Sequence, residues 1–424
     1  MRKSILMFLI LSSGAFFNPL NSGAQYVIHE SDEEEPLKSR AIVVPYAFST
    51  ETLGFGAGLG GSYSPKSQPQ STYYGTLYGT SNGSWLTLIG GYNLQIPYSK
   101  RLYVRPYAIF TRQTQMRLYV DGNPDYPNER AGSNESSKDN YKEEDAGEIT
   151  IDLETRYILP WGHYRDTPVH TYVTRNGVLR ENPSGAESWN PLESGQSTVV
   201  FKPYYRKIFT DIDELETLYF ELAYEHDNRD YVPNPHRGYK WKTGIQHDFD
   251  WLDGTRHWTS LEGEIDAFVP LWETSWSRQQ TLALSWWSVY SPSYDASSTD
   301  NAGKPPFFTG PNLGGFWRLR GYPSNRFHDK AAIHYGAEYR VMPEWQPFGK
   351  IDLLDPLMIR WWQVVGLVEA GRVAPSWNFG TLHTDMKYDV GIGLRGMFDS
   401  GIGRLDVVVS EEGLSIVAMF GQTF

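Results

Sequence analysis

Residues 260–271 read SLEGEIDAFVPL, a stretch in which apolar and acidic side chains alternate. Leu261 and Ile265 fall on one side of a two-residue period, whereas Glu264 and Asp266 fall on the other. Successive side chains of a β-strand point to opposite faces of its sheet. The stretch therefore predicts a strand with one apolar face and one charged face.

The same alternation recurs along the chain, for example in EITIDLETRY (148–157) and LYFELAYEH (218–226), whereas helical periodicity is hard to find. A soluble β-sandwich would show this pattern too. However, aromatic residues make up 15% of the chain although its mean hydropathy is only −0.48. A transmembrane β-barrel combines these properties, because only every second residue faces lipid and aromatic girdles mark both interfaces.

The N-terminus predicts export. Residues 1–24 begin with the basic pair Arg2 and Lys3, continue with a short apolar run, and end in small residues, which is the pattern of a signal peptide cleaved after Ala24. A buried N-terminal helix is the alternative. Residues 25–41, with the acidic run SDEEE at 31–35, are predicted to form an acidic periplasmic linker.

The predicted fold class is all-β: a 16-stranded antiparallel transmembrane β-barrel over residues 42–424, with an inward-folded extracellular loop at 292–330. An even strand number is the rule for single-chain bacterial barrels. The predicted strands are 42–49, 54–63, 71–81, 84–95, 100–118, 147–160, 196–209, 215–229, 237–249, 257–271, 277–291, 331–344, 358–373, 386–398, 403–411 and 414–424.

One segment fits this count poorly. Residues 161–195 become a long periplasmic connection, where short turns are expected. Either the segment is an insertion or the strand count slips there. The last predicted strand, LSIVAMFGQTF (414–424), carries Phe420 and Phe424 on one face and resembles the C-terminal signal recognised by the barrel-assembly machinery.

Four stretches resemble motifs of the BamA/TamA-type outer-membrane protein superfamily. They are LRGYPSN (319–325), GLVEAGRV (366–373), DNRDYVPNPHRGY (227–239) and PYAFSTETLGFGAGLGGSY (45–63). The first matches the (V/I/L)-R-G-(F/Y) signature of a loop that folds back into the barrel. The second resembles the F-x-D-x-G element of a nearby strand, although Leu367 and Glu369 replace the aromatic residue and the aspartate.

The resemblance implies that the loop motif, Leu319, Arg320, Gly321 and Tyr322, lies in the barrel lumen. Arg320 would pair there with Glu369, because a guanidinium suits a bidentate carboxylate contact. A solvated loop arginine is the alternative. Further loop–barrel partners are expected at Gly371, Glu338 and Arg340, although the last two residues would also fit a simple polar strand face. Asp227, Arg229, Asp230 and Gly238 are expected to form a structural strand-end network.

The resemblance also implies a short, barrel-only branch, because the roughly 17 residues before the first strand are too few for a polypeptide-transport-associated (POTRA) domain. A separate periplasmic protein could replace such domains. The other expected partners are outer-membrane lipids and, during biogenesis, the barrel-assembly machinery. The expected location is the bacterial outer membrane. A net charge of −12 argues against nucleic acid.

The predicted function is help with inserting or translocating polypeptide, or lipid, at the outer membrane, with a passive pore or structural barrel as the alternative. No cofactor, metal site or enzyme activity is expected. Histidines would be the candidates for a hydrolase, but H-E-x-x-H is absent, and GTSNG (79–83), which matches G-x-S-x-G in its letters, falls at the turn between two predicted strands instead of at a strand-to-helix elbow. Those candidates are His163, His170, His226, His236, His247 and His257.

Overall fold

The computed structural model describes residues 7–8, 25–30, 39–50, 53–180, 184–211, 213–252, 257–272, 274–295, 303–346, 359–398 and 401–424. These residues form an all-β fold with one four-residue helix, α1 (Phe379–Leu382). The predicted fold class is confirmed at this level. The predicted signal peptide lies outside the described residues except for Met7–Phe8, and so does the acidic run at 31–35.

Most of the described strands are long. In chain order they are β1 (Met7–Phe8), β2 (Gln25–Glu30), β3 (Arg40–Thr50), β4 (Gly54–Ser64), β5 (Thr72–Thr80), β6 (Trp85–Tyr92), β7 (Leu94–Gln95), β8 (Leu102–Leu118), β9 (Lys142–Ile158), β10 (Val169–Arg175), β11 (Val178–Leu179), β12 (Gln196–Thr210), β13 (Glu214–Asp227), β14 (Gly238–Asp248), β15 (Trp258–Pro270), β16 (Ser277–Tyr290), β17 (Asn312–Leu313), β18 (Phe327–His328), β19 (Ala331–Pro343), β20 (Trp361–Ala374), β21 (Lys387–Phe398), β22 (Gly401–Ser410) and β23 (Gly413–Phe420).

The long strands form one large sheet in which successive long strands pair antiparallel. Long registers define these pairings, as in Tyr239↔Ala267 between β14 and β15. β9 pairs with β12 through Tyr157↔Val199, so the chain between these two strands is an insertion rather than a slip in the strand count. In the sheet order, β23 is followed by β3.

The burial pattern of the sheet is inverted relative to that of a water-soluble protein. On β15, Ile265 is 48% exposed while its neighbour Asp266 is fully covered. On β13, Leu222 is 55% exposed while Glu221 is 1% exposed. A soluble sandwich buries its apolar face and solvates its charged one. This sheet does the opposite, which is the arrangement that an apolar surrounding favours.

Opposite charges pair across neighbouring strands on the polar face. Glu154 on β9 lies 3.1 Å from Arg105 on β8 and 2.9 Å from Arg156 on its own strand. Arg156 reaches Glu225 on β13 at 2.6 Å. A buried charge is costly unless it is paired and hydrogen-bonded. The antiparallel register therefore provides partners that allow the polar face to be covered.

The inserted segment forms a second, three-stranded sheet. β10 pairs antiparallel with β11 across the turn residues Asn176 and Gly177, both with positive φ, as a two-residue hairpin loop requires. On its other side, β10 pairs in parallel with β2. None of these three strands was predicted from the sequence, and the residues of β2 were assigned to the linker.

The C-terminus departs from the predicted final strand. β23 ends at Phe420, and Gly421 has a φ of 93°, which turns the chain away from the strand direction. Gln422, Thr423 and Phe424 are buried. The prediction that Phe424 shares a strand face with Phe420 is therefore wrong, because the turn at Gly421 breaks the alternation.

Within the described part of the chain, helices long and apolar enough to span a bilayer are absent.

Candidate functional site

The candidate site lies where the loop between β16 and β19 meets the polar face of the sheet. This loop is described over residues 291–295 and 303–330, and it contains the two-residue strands β17 and β18, which pair antiparallel. Leu319, with a φ of 53°, is fully buried in an apolar cluster on strands β16, β19 and β20. The cluster consists of Trp287, Val289, Leu313, Leu319, Tyr322, Phe327, Ala332 and Val373. This apolar patch anchors the loop to the polar face of the large sheet, which is called the wall from here on.

Two glycines of the predicted motifs allow close packing of loop and wall. A Cβ at Gly321 would lie 2.8 Å from the Cβ of Asp389 and 2.9 Å from that of Ser410. The Gly321 amide instead donates to Asp389 at 2.8 Å, and its carbonyl accepts from Ser410 at 2.7 Å. On β20, a Cβ at Gly371 would lie 3.2 Å from the Leu319 side chain. A larger residue at either position would push the loop from the wall.

Arg320 is buried and contacts three wall carboxylates. Its Nε lies 3.1 Å from Glu369 Oε2, and its backbone amide donates to the same oxygen at 2.8 Å. Its Nη1 lies 2.9 Å from Glu338 and 2.8 Å from Asp406. All four side chains are fully covered. The structure thus places Arg320 against Glu369, as the resemblance implied, but the guanidinium bridges three strands instead of forming a bidentate pair.

Further arginines complete this charge cluster. Arg340 lies 2.8 Å from Glu338, and Arg395 lies 3.4 Å from it. Arg395 also pairs with Asp406. Each wall carboxylate therefore has more than one positive or polar partner. Glu338 and Arg340 are covered on the polar face of β19, and Glu338 contacts the loop directly.

The C-terminal tail enters the same cluster. Thr423 Oγ1 lies 3.0 Å from Arg320 Nη1 and 3.0 Å from Glu338 Oε1. The Arg340 guanidinium carbon lies 5.2 Å from the centre of the Phe424 ring, which packs with Phe268 and Ala283. The tail was not linked to the loop by sequence reasoning, because no local pattern shows that residues 421–424 leave the strand. The Phe420 side chain, the other member of the predicted C-terminal signal, lies outside the described part of the structure.

Tyr322 holds the loop from its other side. Its hydroxyl donates to the carbonyl of Tyr388 at 3.1 Å, and its ring packs 5.2 Å from that of Phe327. All four members of the predicted loop motif, Leu319 to Tyr322, therefore contact the wall or its apolar cluster.

Sequence reasoning missed Arg326, which fixes the far end of the loop. Its side chain is covered, and its Nε lies 2.9 Å from Glu412 in the turn between β22 and β23. Its Nη1 donates to Ser136 Oγ at 2.9 Å, in the segment between β8 and β9. The signal was present in the motif stretch SNRF (324–327), but its partners are distant in sequence.

The predicted strand-end network forms apart from the Arg320 cluster. Arg229 lies 2.7 Å from Asp227, and both are buried. The Asp230 carboxylate accepts from the amides of Tyr231, His236 and Arg237 at 2.8, 2.9 and 3.1 Å. Gly238 has a φ of 105°. These contacts shape the connection between β13 and β14.

The candidate hydrolase histidines do not share one site. His226 Nδ1 lies 3.0 Å from Ser197 Oγ, but both residues are buried in the strand pairing of β12 and β13. His247 contacts His257 near the end of β14, with ring centres 4.9 Å apart. Within the described ranges, three or more His, Asp or Glu residues are nowhere grouped as a metal ion would need.

Comparisons with known proteins bear on the fold and the family. The Omp85 superfamily domain matches residues 92–409. A search of curated protein sequences gave no match.

CdiB from Escherichia coli gives a TM-score of 0.54 at 10% identity, covering 91% of this chain and 62% of that chain. CdiB from Acinetobacter baumannii gives 0.50 at 11% identity, covering 89% and 58%. This chain therefore spans less than two thirds of either CdiB chain. BamA from Haemophilus ducreyi lacking POTRA domains 1–3 gives 0.46 at 10% identity, covering 90% and 69%, a TM-score too low to carry weight.

The region that the Omp85 domain matches contains the loop and the strands that hold the Arg320 cluster. Residues 92–409 include the loop arginine and its three carboxylates on β19, β20 and β22. The match covers about three quarters of the chain, and the exposed face of the sheet is apolar, as a lipid-facing surface is. The family prediction is confirmed: this chain belongs to the Omp85 superfamily of bacterial outer-membrane proteins.

Proposed function

We propose that the large sheet, which has 18 strands, closes into a sixteen-stranded transmembrane barrel when β1 of the predicted signal peptide is left out and β6 and β7 are counted as one strand. This barrel aids the insertion or translocation of polypeptide, or lipid, at the outer membrane without enzymatic chemistry. Closure is supported by the pairing of β9 with β12 and by the place of β23 next to β3 in the sheet order. Within the described residues no pairing register joins β23 to β3, and β3 pairs instead with β1 at Tyr46 and Ala47. A closed sheet leaves no backbone edge in hydrocarbon. The polar face then lines the lumen. The boundary between β3 and β23, where the first and last strands of the barrel meet, is called the seam.

The tail carries the functional part of the proposal. After Phe420 the chain turns inward, and Thr423 joins the Arg320 cluster. The last residues are thereby unavailable for pairing with β3. A seam with fewer main-chain hydrogen bonds opens at a lower free-energy cost than the other strand pairs. Such a seam would provide a lateral route between lumen and membrane.

The passive pore is the weaker alternative. The loop with Arg320 occupies the polar face near β19 to β22, and the β2–β10–β11 sheet packs on other strand ends. In a closed barrel both would obstruct the lumen. Assisted passage of a polypeptide, the proposed client, fits better than free diffusion of solutes, because these elements must move before anything passes.

The remaining expectations complete the proposal. The chain would be exported by its predicted signal peptide and inserted by the barrel-assembly machinery. It would then lie in outer-membrane lipid, with a separate periplasmic protein taking the place of POTRA domains. Residues 161–195 are our proposed contact for that protein.

Photocrosslinking in cells tests the lateral route. A photoreactive amino acid would replace Val43 on β3 or Leu414 on β23, whose exposed fractions are 73% and 65%. Matched controls would carry it at Leu222 on β13 or Ile265 on β15, which are also apolar and exposed. We expect polypeptide adducts at the two seam positions only. Equal labelling at all four positions, or none at the seam, would contradict the proposal.

A further inference from the structure

The small sheet has β10 at its centre and β2 along one edge. β2 runs parallel to β10 over six residue pairs, from Val169↔Gln25 to Thr174↔Glu30. β11 covers only two residues on the opposite edge. Of the strands in the described ranges, β10 alone pairs with β2.

β10 and its hairpin are fixed to two separate parts of the large sheet. Tyr172 is fully buried, and its ring lies 5.1 Å from that of Tyr231 in the β13–β14 connection. At the hairpin turn, the Trp361 indole on β20 donates to the Gly177 carbonyl at 2.9 Å. These two contacts hold β10 and its hairpin against the large sheet without involving β2.

Two of the β2 side chains that the structure describes, Tyr26 and Ile28, contact buried groups of the fold. The Tyr26 ring lies 5.5 Å from that of Tyr172. Ile28 packs against two buried clusters, one containing Tyr172 and the other containing Trp361. β2 also pairs with β10 through its main chain, a contact that any extended chain can reproduce.

We propose that the edge of β10 is a binding site for an extended polypeptide and that β2 is its built-in, exchangeable occupant. This inference deepens the proposed function, on which it rests, because the ligand belongs to the proposed client class. An incoming strand would replace the hydrogen bonds of β2 with equivalent ones, so the exchange is nearly balanced in free energy.

The two anchors of β2 define what the site selects. Backbone pairing is independent of sequence, whereas pockets for alternate side chains provide specificity. The Tyr26 position rests on an aromatic ring, and the Ile28 position lies between two apolar clusters. The favoured ligand is therefore an extended segment with an aromatic residue followed, two positions later, by an aliphatic one.

Occupancy of β10 also has a physical connection to the seam. Tyr231 and Val232 pack on Tyr172, and they belong to the same connection as Asn234. The Asn234 side chain accepts from Gln422 at 3.4 Å, in the tail that reaches Arg320. Exchange at β10 would thus act on a segment that contacts the tail.

The native absence of cysteine allows a direct test in the full chain, purified in detergent. The probe is a fluorescent peptide with the sequence of residues 25–30, QYVIHE, and binding is followed by anisotropy. Val27→Cys with Thr171→Cys would join directly paired positions of β2 and β10. Neighbouring strands are close enough for a disulfide. We expect the oxidised variant not to bind the peptide and reduction to restore binding.

A second variant releases β2 without a crosslink. Tyr26→Asp with Ile28→Asp removes both anchors, and we expect it to bind the peptide at least tenfold more tightly than the unaltered chain. The control peptide QAVAHE should not bind. The inference is overturned if the disulfide does not form, if the released variant stays folded but binds no peptide, or if both peptides bind equally. Crosslinking at the seam is scored separately, so either idea can fail alone.

Discussion

The hydroxyl oxygen of Thr423 lies 3.0 Å from a guanidinium nitrogen of Arg320, so the end of the chain and the β16–β19 loop meet at one hydrogen bond. Thr423 follows the last strand of the sheet, whereas Arg320 belongs to a loop about a hundred residues earlier. Both also contact Glu338 on the wall. The site therefore joins the loop, the wall and the proposed seam.

Replacing Arg320 is predicted to be strongly destabilising. Arg320→Ala leaves the loop-facing oxygen of Glu369 buried without its positive partner, which costs about 3–5 kcal/mol of unfolding free energy. The measurement is urea unfolding of the folded protein in lipid, followed by heat-modifiable gel mobility.

The matched control is Arg318→Ala on the same loop. Arg318 lies 2.7 Å from Glu264 but keeps 29% of its side chain exposed. Because Glu264 is largely covered and the Arg318 guanidinium also lies over the Trp287 ring, the loss of Arg318 should cost about 1–2 kcal/mol, still less than the loss of Arg320. Equal effects of the two substitutions would show that the buried cluster is not what holds the loop.

Glu369 is predicted to require both its charge and its length. Glu369→Gln keeps the volume but weakens two hydrogen bonds from Arg320, at an expected cost of about 1.5–3 kcal/mol. Glu369→Asp, the residue of the related motif, withdraws the carboxylate by about 1.5 Å. It should fall between the unaltered protein and Glu369→Ala in the same unfolding assay. A fully stable Glu369→Gln variant would refute this role.

Arg326 is predicted to fix the far end of the loop, here called the loop tip, without controlling the stability of the sheet. Arg326→Ala removes contacts to Glu412 and Ser136, which lie in outer connections. We expect faster proteolysis between residues 303 and 330, while Arg320→Ala affects global unfolding. If Arg326→Ala instead leaves the cleavage rate unchanged, the tip is held by other contacts.

The loop should also loosen in acid through His328. Burial lowers the pKa of His328 to about 4 from its usual 6.5, and the nearby Arg130 and Arg326 add to the effect, whereas the Tyr119 carbonyl and Asp121 oppose it. A released loop binds the proton more readily than the packed loop. The free energy that holds the loop in its packed state is therefore largest above about pH 6.5. It falls as the pH drops toward 4, by up to about 1.4 kcal/mol per pH unit.

Hydrogen exchange of residues 303–330, corrected for intrinsic rates, checks this expectation at pH 7 and pH 5. Protection should fall at pH 5 in the unaltered chain. His328→Gln should show a smaller change between the two pH values. An identical pH dependence in both proteins would assign the effect to other groups.

Much of the fold was predictable because lipid-facing alternation is a local property of the sequence. The strand at Trp258–Pro270 follows directly from its period-two pattern. β9, however, begins at Lys142, about five residues before its predicted start, because pairing with β8 continues past a register shift near Gln113. Such extensions depend on the partner strand and leave little local signal.

The site was predictable in part, because some of its residues stand in local sequence motifs. Arg320 and Glu369 stand in recognisable motifs, whereas Asp406 and Thr423 reach the cluster only through the register of β22 and the turn at Gly421. The pairing of β2 with β10 joins segments about 140 residues apart. Contacts of this range follow from topology, which alternation does not specify.

The central claim is that the loop bearing Arg320 lies inside a closed barrel and obstructs its lumen. Conductance across a planar lipid bilayer tests it most directly, with the unaltered chain compared with a variant lacking residues 314–325. We predict little steady conductance for the unaltered protein and large discrete openings for the deletion variant, with Arg318→Ala behaving like the unaltered chain. A wide, steady conductance in the unaltered protein that the deletion leaves unchanged would contradict the account.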